Sequence, residues 1–358
     1  MKTKVLFPLI ASMLLFSCAN NPASSAAPSS SPEASSEPEP SSEPEPSSEP
    51  SSEPQSNKVS VFVLSGQSNM EGSTFFDHDG TPWLRDAMAE LELDADPAFN
   101  GIEAVQTSFY GYYPYGWGTP TPHASNTEDK MAGLFLPTKV GMGNKDEYMG
   151  PEIGLATRLK DNRKDDKPIF FIKCAFSGSG FSSNNPNWKT RDEDGLYNKL
   201  KTFTHNNLGL IEDMGYEPVI KGFLWHQGES DSNQRNQTSE YKANMEALLG
   251  DFREEFKDYS RDGTGEAIDF IDALIYDGTR LTYGDVDNLN DAKLALAEES
   301  EHNFCINTSC KREGGMGLEI GGNQNIGGCD GIYHYTTKDC VRLGLAYADV
   351  ILENGMLD

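Results

Sequence analysis

Four short apolar runs set the strongest limit on what this chain can fold into. They are residues 59–64 (VSVFVL), 168–173 (PIFFIK), 219–225 (VIKGFLW) and 267–275 (AIDFIDALI). Each is rich in β-branched or aromatic side chains and bounded by polar residues, glycine or proline, the pattern of a strand buried on both faces. Helical periodicity lies between them. Residues 151–160 put Ile153, Ala156 and Leu159 on one face, and residues 239–256 do the same with Tyr241, Met245, Leu248, Leu249 and Phe252. A last helix is expected over residues 338–352. Strands alternating with helices predict a three-layer α/β/α domain around a parallel sheet. Ligands of such sheets gather at the C-terminal strand ends.

The N-terminus stands outside that domain. Residues 1–18 begin with Lys2 and Lys4, continue through an apolar run to Phe16, and end at Cys18. The run is shorter than the roughly 20 residues a permanent span needs. It has the size of a secretory signal. The ending Leu15-Phe16-Ser17-Cys18 resembles a bacterial lipobox, which makes Cys18 the expected lipidation site and the cell surface the expected location. A cleaved signal and plain secretion is the alternative. Residues 19–57 are Ser/Glu/Pro-rich with SSEPEP units, too poor in apolar side chains to offset ordering entropy. They read as a disordered stalk, reaching on the order of 100 Å at about 3.1 Å per residue.

Residues 58–358 are long enough for one large α/β domain. The formal charge of −27 disfavours nucleic acid and anionic lipid as partners, since both require a basic surface. Any membrane contact is expected through the anchor alone. Cys305, Cys310, Cys329 and Cys340 cluster near the C-terminus, and in an exported chain they predict one or two disulfides near His334. A zinc site is the competing reading, though no CxxC pair is present. Nothing in the pattern calls for a metal or organic cofactor. Residues 109–118 (FYGYYPYGWG) read as an irregular aromatic loop, either a platform for sugar rings or simple packing.

Chemistry concentrates where strands end. GQSNMEG (66–72) follows the first run and sets Ser68 on a strand-to-helix turn, suited to a nucleophile or merely to an N-cap. WHQGESD (225–231) ends the third run. MGPEIGLATRL, IKCAFSGSG and HYTTKDCVRLG supply further blocks. Taken in chain order, GQSNMEG, MGPEIGLATRL, IKCAFSGSG, WHQGESD and HYTTKDCVRLG, the blocks resemble those of SGNH hydrolases, a flavodoxin-like architecture. More narrowly they resemble acetyl xylan esterases of carbohydrate esterase family 6 and the sialate O-acetylesterase domain. The resemblance implies a serine O-acetylesterase acting on an acetylated polysaccharide such as xylan, with sialate esters as the alternative. An inactive carbohydrate-binding protein on the same fold is the reading from a different class. It implies Ser68 as nucleophile and His334 as base, with Ser68, Gly178 and Gln227 lining the oxyanion hole. Ordinary SGNH enzymes take their acid three residues before the histidine, where this chain has Gly331. The acid is then expected at Glu229, as the family 6 resemblance suggests, with Asp330 as the alternative. His226 and Asp231 are expected in structural roles.

Overall fold

A computed structural model describes residues 56–78, 80–111, 126–127, 132–181, 187–191, 195–233, 235–280, 284–321, 328 and 332–358. Seven strands form the central sheet: β1 (Lys58–Gly66), β2 (Ile102–Gly111), β3 (Leu136–Thr138), β4 (Ile169–Ala175), β5 (Glu217–His226), β6 (Asp269–Ala273) and β7 (Asn303–Ile306). Their order is β7-β6-β5-β1-β4-β2-β3, and every pairing is parallel except β2 with the edge strand β3. The four runs read from the sequence are β1, β4, β5 and β6. Their cores are covered on both faces, with Val61, Phe62, Phe171, Ile172, Leu224 and Ile271 fully enclosed. The fold is α/β with a mainly parallel sheet, as the alternation required.

Three further strands escaped the pattern: β2, the three-residue edge strand β3, and β7. β2 reads IEAVQTSFYG, and its polar Glu103, Gln106, Thr107 and Ser108 disguise a strand next to the sheet edge. Phe109 and Tyr110 are therefore buried strand residues rather than part of an aromatic platform. Residues 112–118 of that loop lie outside the described residues. β7 is only four residues long.

Seven helices matter to the site: α1 (Ser68–Glu71), α2 (Glu152–Leu159), α3 (Leu196–Asp213), α4 (Glu229–Ser232), α5 (Arg235–Glu255), α6 (Val286–Ala297) and α7 (Thr337–Glu353). α2 packs on α7, and α5 packs on α6. β1 is flanked by β4 on one side and β5 on the other, with β2 lying beyond β4. The chain thus changes side around β1, and the crevice of such a sheet opens at the C-terminal end of that strand. Ser68 follows it directly. Cys18 and the Ser/Glu/Pro segment lie outside the described residues, among which no helix is long and apolar enough to cross a membrane.

Candidate active site

The turn carrying Ser68 is forced by a backbone contact. Gly66 has φ of 141°, and a Cβ there would stand 2.1 Å from the His226 carbonyl oxygen. Only glycine allows β1 and β5 to run this close at their ends. Gln67 N–H then donates to that carbonyl at 3.0 Å, while Met70 and Glu71 N–H close the turn on Gln67 O, each at 2.8 Å. Ser68 opens α1 at the C-terminal end of the central strand β1. Among the described residues, neither the Ser68 N–H nor the Gly178 N–H meets a protein acceptor. Two open backbone donors are what an oxyanion requires.

Gly178, at φ of 67°, sits on the turn after β4, and three side chains fix that turn. The Glu71 carboxylate accepts from both the N–H and the hydroxyl of Ser177, the former at 2.8 Å. Asp231 Oδ1 accepts from Phe181 N–H at 2.9 Å. Trp188 Nε1 donates to Ser179 Oγ at 2.8 Å. Gln227, expected as an oxyanion donor, is engaged elsewhere. Its Nε2 faces Asp231 Oδ2 at 2.6 Å and both Gln67 Oε1 and Ser179 O at 3.2 Å. An amide has two hydrogens, so none is left for a substrate. In this arrangement Gln227 braces the turns around Ser68. Asp231 takes the structural role expected of it.

Glu229 begins α4 and is almost wholly enclosed. Its Oε1 accepts from Asn69 Nδ2 at 2.7 Å and stands 3.9 Å from His226 Nε2. Burial pushes the Glu229 carboxyl up from its ordinary value, and the Asn69 bond pulls the other way. The carboxylate meets Asn69 rather than the His334 imidazole. Asn69 in turn grips the segment around His334: Nδ2 reaches Tyr333 O at 3.3 Å, and Oδ1 accepts from Tyr335 N–H at 3.2 Å. The segment is also held by Gly321 N–H on His334 O at 3.0 Å and by Thr74 Oγ1 on Tyr335 O at 3.0 Å. His334 itself is half-buried, two residues before the α7 cap, where the Thr336 hydroxyl accepts from Asp339 N–H. Asp330 lies outside the described residues. Asn69 was not singled out from the sequence, although its place beside Ser68 in GQSN marked it.

His226 is fully enclosed behind Glu229, its ring 5.6 Å from that of Tyr335. Burial drives its pKa down to about 3, and the nearby Lys293 cation adds in the same direction. It is therefore a neutral imidazole at physiological pH. Lys293 pairs with Asp272 at 2.7 Å, both completely buried.

The expected disulfides are corrected. Cys305, Cys310 and Cys340 are free thiols, and Cys329 lies outside the described residues. Each thiol has its own surroundings: Cys305 is on β7, Cys340 is inside α7, and Cys310 Sγ faces Leu318 O at 3.3 Å. Polar contacts hold this region instead. Asp339 accepts from Glu319 N–H at 3.0 Å and pairs with Arg342 at 2.7 Å, and Arg342 also reaches Met316 O. Among the described residues no group of three or more His, Cys, Asp or Glu could hold a metal ion. A cavity of about 370 Å³ lies at the opposite end of the sheet, by Lys58 and Lys221, away from every group above.

Residues 124–353 match a family described as carbohydrate esterase, sialic acid-specific acetylesterase. The chain belongs to that carbohydrate esterase family. The matched span contains His226, Glu229 and His334 and begins after Ser68. A probable carbohydrate esterase of Arabidopsis thaliana is 24% identical over 297 residues, covering 82% of this chain and 90% of the relative. The X-ray structure of an Arabidopsis thaliana protein matches with a TM-score of 0.50 at 24% identity, covering 82% of this chain and 98% of its own. NanS matches with a TM-score of 0.53 at 14% identity, covering 84% and 98%. These similarities support the esterase fold around the site.

Proposed function

We propose that this carbohydrate esterase is an exported serine O-acetylesterase that removes acetyl groups from a polysaccharide. The observation that carries the reading is the pairing of Ser68, whose own N–H and that of Gly178 on the neighbouring turn are open, with a His334 segment tied to the residue next to that serine. In this reading Ser68 Oγ attacks the acetyl carbonyl while His334 takes its proton, then gives it to the sugar oxygen as the bond from that oxygen to the acetyl carbon breaks. The Ser68 and Gly178 N–H groups hold the oxyanion. Water, deprotonated by His334, then releases acetate from acetyl-Ser68. Glu229 is the proposed orienting acid and Asp330 the alternative. The SGNH-type order of the blocks supports this assignment.

A neutral acetylated polymer such as xylan suits a chain of net charge −27 better than an anionic sugar does. The family description favours a second reading, O-acetyl sialic acid. Acetate release from both substrates distinguishes them. Tethering through Cys18 would keep the enzyme at the cell surface, where polymers are met. Ser68→Ala should lower acetate release by about 10⁴-fold or more while the unfolding midpoint stays near that of the parent. Near-parental hydrolysis of p-nitrophenyl acetate by Ser68→Ala would remove the serine mechanism.

A further inference from the structure

We infer that Asn69 is a positioning residue of the esterase, one that couples the Glu229 carboxylate to the backbone on both sides of His334. The inference rests on the serine reading above and adds a residue that this reading does not require. Asn69 is 5% exposed and its amide is fully committed: two hydrogens to Glu229 Oε1 (2.7 Å) and Tyr333 O (3.3 Å), and one carbonyl to Tyr335 N–H (3.2 Å). The partners also fix its orientation. Turned over, the amide nitrogen would face the Tyr335 N–H, donor against donor. Its oxygen would meet a carboxylate and a carbonyl, acceptor against acceptor.

One short side chain therefore sets two things at once. It holds the peptide groups before and after His334, which fixes the backbone that carries the imidazole, and it does so from the position next to Ser68. It also donates to a buried carboxylate that desolvation would otherwise drive toward its neutral form. Three separate parts of the chain, residues 68–71, 229–232 and 333–335, meet at this amide. Because Asn69 is enclosed, its loss should act on turnover rather than on substrate binding.

The test compares Asn69→Ala and Asn69→Asp with the parent, measuring kcat, KM and the pH dependence of kcat/KM on p-nitrophenyl acetate, together with unfolding midpoints. Aspartate keeps the shape and the acceptor for Tyr335 N–H, so it serves if the alanine variant does not fold. Both variants should lose about 10²-fold in kcat, the scale of a small misplacement, with KM within about threefold. Losing the donor disfavours the Glu229 anion, so protonation of Glu229 should end activity at a higher pH and move the acid limb up. A side chain that only filled space would leave that limb where it was. An Asn69→Asp enzyme with parental kcat, or a folded variant whose acid limb has not moved, overturns the inference. If Ser68→Ala remains active, the serine reading has failed; if Ser68→Ala is dead and the Asn69 variants are not, only this inference has.

Discussion

Two carboxylates, Glu229 and Asp330, are the candidates for orienting His334 in the proposed mechanism. Glu229 has the enclosure that makes a charge count, and through Asn69 it is linked to the peptide groups flanking His334. Its present partner is the amide rather than the ring. Catalytic hydrogen bonds often tighten only once substrate is bound, and the kinetics of the two acid variants decide the assignment. If Glu229 orients His334, Glu229→Gln should lower kcat by about 10³ to 10⁴, the scale seen when a triad acid becomes an amide. Asp330→Asn should then stay within about tenfold of the parent. The reverse result in steady-state assays of both variants would give the role to Asp330, one residue out of the usual register.

At the scale of elements, the crossing of α2 and α7 carries the most strain-sensitive contact. A Cβ on Gly154 would stand 2.1 Å from Val341 O, and one on Gly344 would stand 2.0 Å from Pro151 O. Both obstacles are backbone, which a rotamer change cannot relieve. The helices approach this closely only because each offers a glycine to the other. α7 starts three residues after His334, so a displaced α7 also displaces His334. Gly344→Ala should therefore destabilise the fold by about 1–3 kcal/mol, as overpacking does. It should also reduce kcat. Urea unfolding midpoints and acetate release from one preparation check this, and an unchanged midpoint would mean the helices can part without cost.

For the molecule as a whole, the buried His226 makes stability depend on pH with a definite sign. Its pKa is lowered from 6.5 to about 3 in the folded protein, so the unfolded chain binds the proton first as pH falls. The stabilisation is complete above about 6.5 and is lost progressively down to about 3. Asp272, raised by burial to about 6, acts in the opposite sense, because the folded state takes up that proton first. Comparing the parent with His226→Gln isolates the histidine. The difference in unfolding free energy should shrink steadily from pH 7.5 to pH 5 by a few kcal/mol. A difference that stays constant over that range would show that His226 titrates alike in both states.

The parallel α/β plan, four strands of the sheet and the helices now labelled α2, α5 and α7 were all legible in the sequence, because a strand or helix face buried against neighbours must be apolar at the spacing of its own geometry. Ser68, Glu229 and His334 could be singled out as candidates as well, since each lies in a short block at a strand end or just before a helix. β2 was not, because a strand near the sheet edge tolerates polar residues that erase the period. The cysteines misled for a related reason: closeness in sequence says nothing of which way side chains point, and Cys305 and Cys340 belong to different elements. Gln227 and Asn69 show the same divide in the site itself. Their amides look interchangeable as text, yet the folded chain surrounds one with Gln67, Ser179 and Asp231 and the other with Glu229, Tyr333 and Tyr335. Hydrogen-bond partners far apart in the chain are chosen only when the sheet brings strand ends together, so the sequence named the groups and tertiary structure assigned their contacts.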